Sequence, residues 1–321
     1  RPRAKGHSGK VATDLPGQRQ LNSRKPELPF DPPVGATIEK IERIGPFILH
    51  VDYRLPDGTL HTWRSRSNRT NGGLRTIRSQ ADATAARKSS WWLNVWALAK
   101  VAWWTALLFV IGSACFMAAS AAPLKPGLFG EFATNTTAIN RVFFVGSIFF
   151  TLAAFTQFLA AVNANRVTAI AHGHEPTTPF RWFAWRPGQI GWLSAFTQFV
   201  GTLLFNVNTF DALLPGLNWL QADLLIWTPD IIGSVCFLIA SVLAYTEYSH
   251  GSLVWKPRDV SWRIVCINLL GSVAFGIAAV YAVILPGESD ILSAWNVNFF
   301  TFAGGLCFLV GAYLLIPEAA R

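Results

Sequence analysis

The sequence predicts an all-α polytopic membrane protein: six transmembrane helices organised as three repeated hairpins, with a small β-meander before the first span. Three observations lead there. Six long stretches rich in Phe, Leu, Val, Ala and Trp are almost free of charge, and each can cross a hydrocarbon core of about 30 Å, which takes roughly 20 helical residues. One short pattern recurs in every stretch: Gly, then Ser, Thr or Gly, two variable residues, Phe, and small residues seven and eight positions after the Gly. The loops between the stretches alternate in the sign of their charge, as orientation by cytoplasmic Lys and Arg requires.

Taken in order, residues 1–35 are rich in Pro, Arg, Lys and Gly, show no period, and read as a disordered basic tail. Residues 36–69 read as a small β element. Ile38, Ile41 and Ile44 open it, and Phe47–Arg54 and Thr59–Arg66 flank Pro56-Asp57-Gly58, a turn signal between two β-prone runs. A meander of two or three strands needs a surface to pack on. Residues 70–100 read as a polar basic linker ending in an interfacial helix over Trp91–Lys100. The membrane domain fills 101–321, with spans expected at Val101–Ala122, Ile139–Val162, Ile190–Leu214, Trp227–Tyr245, Ile264–Leu285 and Leu292–Ile316. Most of the fourteen Trp fall at these boundaries, among them Trp182, Trp185, Trp192, Trp219, Trp255, Trp262 and Trp295. Indole rings prefer the headgroup level.

Residues 1–90 carry 17 Lys and Arg against 8 Asp and Glu, so the whole net charge of +9 lies before the first span. The loops with Arg166, Arg181 and Arg186 and with Lys256, Arg258 and Arg263 are basic too. The intervening loops carry Glu131, Asp223, Glu288 and Asp290. Both termini are therefore expected in the cytoplasm of a multi-pass plasma-membrane protein. Arg64, Arg66, Arg69, Arg75, Arg78, Arg87 and Lys88 are interleaved with Ser, Thr and Asn just before the bilayer. They are candidate contacts for anionic lipid headgroups, at about 1 kcal/mol each. A protein partner in a membrane complex, or a nucleic acid, is the less economical occupant.

The repeat starts at Gly112, Gly146, Gly201, Gly233, Gly271 and Gly304, with Phe116, Phe150, Phe205, Phe237, Phe275 and Phe308 four residues on. The spacings 34, 32 and 33 join spans 1–2, 3–4 and 5–6, which makes three similar hairpins. Positions 0, +4 and +7 share one helix face. Lipid gives helices no hydrophobic reason to associate, so close backbone approach and interhelical hydrogen bonds must supply it. The six glycines are accordingly helix-packing positions. Cys115, Cys236 and Cys307 stand three residues after a repeat Gly, and with Cys266 they read as small hydrophobes.

Val145-Gly146-Ser147-Ile148-Phe149-Phe150 and Ile232-Gly233-Ser234-Val235-Cys236-Phe237 resemble the Gly-Ser-x-x-Phe hairpins of YrhK-type bacterial membrane proteins. The resemblance covers the hairpins and implies a fold with little chemistry. This chain has three hairpins, with Thr202 and Gly305 at the Ser position in two copies.

Gln198, Thr202, Asn206 and Thr209 form a polar stripe on one face of the third span, flanked by Asn208 and followed by Asp211. Polar residues at such depth either bond neighbouring helices, here Gln157 or Asn268, or line a path for a substrate, lipid or ion. Thr228-Pro229-Asp230 has the form of a helix start, with Thr as the cap. It is expected to bring Asp230 near Asp211, as a cap with a solvated acid or as a cation or proton site. His172-Gly173-His174-Glu175 lacks a fourth metal ligand, and no paired histidines suit a membrane haem. No catalytic motif is present, and no cofactor or metal is expected. Two functions remain open: a non-enzymatic membrane scaffold or accessory subunit, contacting anionic lipid through its basic head, and a small transporter or channel with a polar path along the third span.

Overall fold

The computed structural model describes residues 28–30, 32–70, 75–76, 96–98, 100–171, 175, 178–286, 288 and 290–320. The chain divides into two units, Arg1–Asp31 and Pro32–Arg321. Residues 28–30 of the first have no regular structure, and all elements below belong to the second.

The head is an antiparallel meander of β1 (Thr37–Ile44), β2 (Phe47–Arg54) and β3 (Leu60–Arg64), to which the two-residue β4 (Arg75–Thr76) adds on the far edge of β3. The turn at Pro56-Asp57-Gly58 is closed by Gly58 N–H donating to Leu55 O, with Gly58 at φ +84°. Leu49, Val51 and Tyr53 alternate along β2 and are fully buried, as is Trp63 on β3. The surface such a small sheet needs is partly supplied by the bundle. Glu42 pairs with His250 at 2.9 Å, and Ile44 packs on Gly251. A Cβ on Gly251 would lie 2.8 Å from Ile44 Cδ1, and its φ of +79° favours glycine independently.

The second β-prone run does not stay extended. Its last residues turn into a short helix, α1 (Ser65–Thr70), which the sequence reading had divided between strand and linker. Of the expected interfacial helix, the described residues 96–98 and 100 form a turn, with Lys100 N–H donating to Ala97 O. Trp91 and Trp92 lie outside the described residues.

Six helices are long and apolar enough to cross a membrane. They are α2 (Val101–Leu124), α3 (Thr136–Val162), α4 (Ile190–Asp211), α5 (Thr228–Ser249), α6 (Val260–Tyr281) and α7 (Ala294–Ala320). Each contacts the next in sequence and α7 contacts α2, so the bundle is a closed ring. The fourth span starts earlier than expected, and Thr228 is not its cap. Asn218 is, in a reciprocal capping box with Gln221. A π-turn over Asp223–Trp227 then carries the helix into α5. The Thr228 hydroxyl donates to Asp223 O at 2.8 Å. Proline is tolerated at 229 because the wider π-turn already interrupts the ordinary hydrogen-bond ladder there.

The repeat glycines sit where the two helices of each hairpin touch. A Cβ on Gly112 would lie 3.0 Å from Gly146 O; on Gly233, 3.1 Å from Gly201 O; on Gly304, 3.1 Å from Gly271 O. In return Gly146, Gly201 and Gly271 each face the residue three after the partner's glycine, namely Cys115, Cys236 and Cys307, at 2.8, 3.0 and 3.1 Å. This explains the cysteine positions: each must be small.

The +1 and +8 positions face the neighbouring hairpin. Ser147 and Thr209 hydroxyls bond at 2.9 Å across α3 and α4, and those of Ser241 and Ser272 at 2.6 Å across α5 and α6. The third seam, α7 against α2, closes by backbone approach. A Cβ on Gly305 would lie 3.2 Å from Met117 N.

Overpacking these contacts should be costly. Gly233→Leu is expected to destabilise the bundle by about 1–3 kcal/mol or more. Gly276→Leu, where an added Cβ meets nothing within 4 Å, should be near neutral. Thermal melts in detergent compare the two, and equal losses would discard the packing account.

The sheet has its own pH dependence. Partial burial raises the Asp52 carboxyl, but hydrogen bonds from Thr62 (2.6 Å) and His50 (2.8 Å) outweigh it and hold the group below the usual value of 3.8. A depressed carboxyl stabilises the fold above the unfolded value, and the gain is lost as pH falls through the folded one. Resistance of the sheet to proteolysis should therefore fall below about pH 4, and fall less in Asp52→Asn.

Candidate functional site

The ring of helices encloses an axis whose centre is filled by the six repeat phenylalanines. Four residues after each glycine, they come from antiparallel helices and form two layers. Phe116, Phe205 and Phe275 make one triangle, with ring centroids 6.4, 6.0 and 5.9 Å apart. Phe150, Phe237 and Phe308 make the other, at 6.3, 5.7 and 6.1 Å. Rings from the same hairpin touch across the layers at 5.2, 5.0 and 5.3 Å. The arrangement has the pseudo-threefold symmetry of the three hairpins. Edge-to-face and tilted pairs at these distances contribute about 0.5–1.5 kcal/mol each beyond their buried area.

A cavity lies on each side of this stack. The one nearer the sheet has a volume of about 100 Å³ and is lined from all six spans. Its polar wall includes Thr105, Gln157, Ser194, Gln198, Ser241 and Asn268. The one on the far side is about 50 Å³, floored by Phe116, Phe205 and Phe275 and lined by Asn208, Asp230 and Thr301. Asn208 hydrogen-bonds to the Asp230 carboxylate. Asp211 is not part of that lining.

The polar stripe of the third span takes the first of its two readings and bonds a neighbouring helix, at Gln198 through Gln157. Thr202 and Thr209 are buried, but the stripe runs along the α3–α4 seam and forms no continuous wall of a path. Asn206 Nδ2 donates to Thr151 Oγ1 at 2.8 Å, the Thr151 hydroxyl to Thr202 O at 3.2 Å, and Gln157 Nε2 to Gln198 Oε1 at 3.3 Å. Only Gln198 of the stripe also lines the larger cavity. An amide in hydrocarbon without a partner costs several kcal/mol, on the order of 2–7, which is enough to turn this face toward α3.

The larger cavity is closed at the sheet end by α1. Arg66 and Arg69 are one turn apart, share one face and line the cavity. Arg69 pairs with Glu247 near the end of α5; the Ser65 hydroxyl donates to the same carboxylate at 2.5 Å. Arg66 pairs with Glu318 near the end of α7 at 3.5 Å, and Ser261 donates to that carboxylate. Asn68 Nδ2 donates to Asn165 Oδ1 at 3.1 Å, just beyond α3. The short helix thus touches all three hairpins. Glu247 and Arg69 side chains are 0% and 9% exposed, and they lie on Gly191, where a Cβ would approach Arg69 Nε to 2.7 Å and Glu247 Oε1 to 2.8 Å.

Sequence reading assigned Arg66 and Arg69 to lipid headgroups, and the structure turns them inward onto carboxylates. Arg64 is exposed. Of the other basic candidates, Arg78, Arg87 and Lys88 lie outside the described residues, as does the Arg75 side chain; so do His172, Gly173 and His174. Among the described residues no cluster of His, Cys, Asp and Glu could hold a metal. Glu247 and Glu318 went unnoticed in the sequence, although a signal was there: each stands fourteen residues after a repeat glycine.

No family model, curated protein or solved structure matches this chain. Its class rests on its own fold, that of a multi-pass integral membrane protein with six spans.

Removing one partner of a buried ion pair strands the other. Glu247→Gln should lower stability by about 3–5 kcal/mol, and adding Arg69→Gln should recover part of it. A double-mutant cycle of melting temperatures reads the coupling; additive losses would mean the pair is not formed in the membrane.

Proposed function

We propose that the protein is a small membrane conduit whose path follows the bundle axis and is closed at its centre by the double phenylalanine layer. One observation carries this: two cavities, each with polar side chains set in a mostly apolar wall, stand on either side of an apolar constriction. A core built for packing alone would be filled at its ends as it is at its centre, because interiors close-pack and voids cost stability. Apolar constrictions between wetted chambers are a known means of gating. The path differs from a stripe along the third span, whose polar groups serve the α3–α4 seam.

On this reading the chain sits in a bacterial plasma membrane with the sheet and both termini in the cytoplasm, supported by the basic charge that precedes the first span. Exposed Arg64, with Arg75, Arg78, Arg87 and Lys88, then faces anionic headgroups, and the hairpin motif keeps its resemblance to YrhK-type proteins. No catalytic role is assigned. A scaffold function is the competing reading, favoured by the full closure of the stack.

Two measurements test this. In intact cells an impermeant thiol reagent should label a cysteine placed at position 128 and miss one at position 70; the reverse would invert the orientation. In liposomes, Phe150→Ala combined with Phe237→Ala should open the constriction and raise release of a small cation, anion or polyol about tenfold or more over the wild type. If the variant folds by its melting profile and releases none of the three faster, the axis is a packed core and the scaffold reading stands.

A further inference from the structure

We infer that Glu247 and Glu318 form a binding site for a cationic solute of the guanidinium or alkylammonium class, and that α1 holds this site shut as a tethered mimic of that solute. The inference rests on the conduit reading and names its cargo and its control.

The charge along the axis is the first ground. Among the described residues lining the two cavities, the bases are Arg66 and Arg69, both on α1, and the acid is Asp230. Glu247 and Glu318 are not in that lining, but each pairs with one of the two arginines that are. With α1 withdrawn, the two glutamates lose their arginines, and among the described residues of the two linings no Lys or Arg remains beside Asp230. Such a lining attracts cations and repels anions.

The second ground is that the site is built into the repeat. Glu247 and Glu318 occupy the same place, fourteen residues after the glycine, in the second helix of hairpins two and three. Each is met by the residue ten before the glycine of its hairpin partner: Gly191 leaves room for Arg69, and Ser261 bonds Glu318. The first hairpin has Ala102 and Ala160 at these places, and both line the cavity. The two carboxylates thus have a small apolar counterpart at the same repeat position in the first hairpin. That shape suits a planar or alkylated cation better than a hydrated metal ion, which would need more oxygen ligands.

The third ground is an unmet acceptor. Asn268 lines the same cavity, and its Oδ1 is buried without a hydrogen-bond partner. A buried oxygen left unpaired costs about 1–3 kcal/mol, and it suits a ligand rich in N–H donors. Arg69 presents a guanidinium to Glu247 as such a ligand would. The plug is also tethered: α1 is six residues long and hangs between β3 and β4 of a sheet seated on the α5–α6 loop.

Liposome release of guanidinium and of chloride tests the inference with the full chain. Added to Phe150→Ala with Phe237→Ala, so that the apolar layer is already open, Arg66→Gln with Arg69→Gln should raise guanidinium release about tenfold or more over the phenylalanine variant alone and leave chloride unchanged. Adding Glu247→Gln and Glu318→Gln should abolish the gain. Faster chloride release from the double arginine variant would overturn the cation class. Unchanged guanidinium release from it, while Phe150→Ala with Phe237→Ala conducts, would overturn α1 as a plug and leave the conduit intact. If the phenylalanine variant conducts nothing, the conduit fails and this inference with it. A second measurement keeps the arginines in place: a cysteine at position 65 should react faster with a thiol reagent in millimolar methylguanidinium than in equal sodium chloride, because the free cation competes with α1. Equal rates would overturn the mimicry.

Discussion

The bundle depends on one contact made three times: the backbone of a repeat glycine against the backbone of its hairpin partner. In lipid, apolar side chains gain nothing by leaving one helix for another, so association must come from packing and hydrogen bonds that only close approach permits. The carbonyl oxygens of Gly146, Gly201 and Gly271 lie only 3.0, 3.1 and 3.1 Å from where a Cβ on the opposing glycine would sit. Once that distance is fixed, helix geometry dictates the rest. In one helix of each hairpin the residue three further on must be small, and Cys115, Cys236 and Cys307 fill the place. Residues four further on point to the axis, and phenylalanine fills it. Residues one and eight further on meet the next hairpin, where hydroxyls bond across two of the three seams.

A closed ring of six helices must do something with its axis. Six phenylalanines fill the centre to complete exclusion of solvent at Phe150. Toward either end, however, amides, hydroxyls and Asp230 enter a still mostly apolar lining, and the space is not filled. The sheet end is then closed by charge. Two buried Arg–Glu pairs are a poor choice for stability alone, since well-packed apolar residues would do as well or better at the same place. Their presence makes sense where the closure must be specific and reversible, because an ion pair can exchange one cation for another and an apolar plug cannot.

How much of this was legible in the sequence follows from the range of each signal. Hydrophobicity and the repeat are local, so the spans, the hairpin pairing and the glycine positions could be read directly. Even the ends were close: α2 starts at Val101 and α3 ends at Val162, as expected. The start of the fourth span was misread because Thr228-Pro229-Asp230 looks like a cap when seen alone, and the π-turn that accommodates Pro229 leaves no local mark. The plug was missed for a different reason. Arg66 and Arg69 lie 252 and 178 residues from their carboxylates, and nothing in a basic run distinguishes residues that meet lipid from those that turn inward. The partnership was encoded only in register: arginines three apart on one side, carboxylates at the same repeat position on the other.

That register also shows where the repeat stops being merely structural. Positions that build the ring are nearly the same in all three hairpins: glycine, a small residue after it, phenylalanine at the axis, small residues two turns on. Departures would be scattered if they were drift. Instead several fall on the two cavities. The place three before the glycine holds Phe109, Gln198 and Asn268 in the three odd spans, all lining the larger cavity. The place fourteen after it holds Ala160, Glu247 and Glu318 in the even ones. Asn208, which bonds Asp230, stands where the other spans have alanine or glycine. A symmetric bundle has no structural need to differ among its hairpins at these depths, and each polar substitution there carries a desolvation cost that an apolar residue would avoid. Asymmetry at the unfilled part of the axis is what a ligand lacking threefold symmetry would require of a threefold frame.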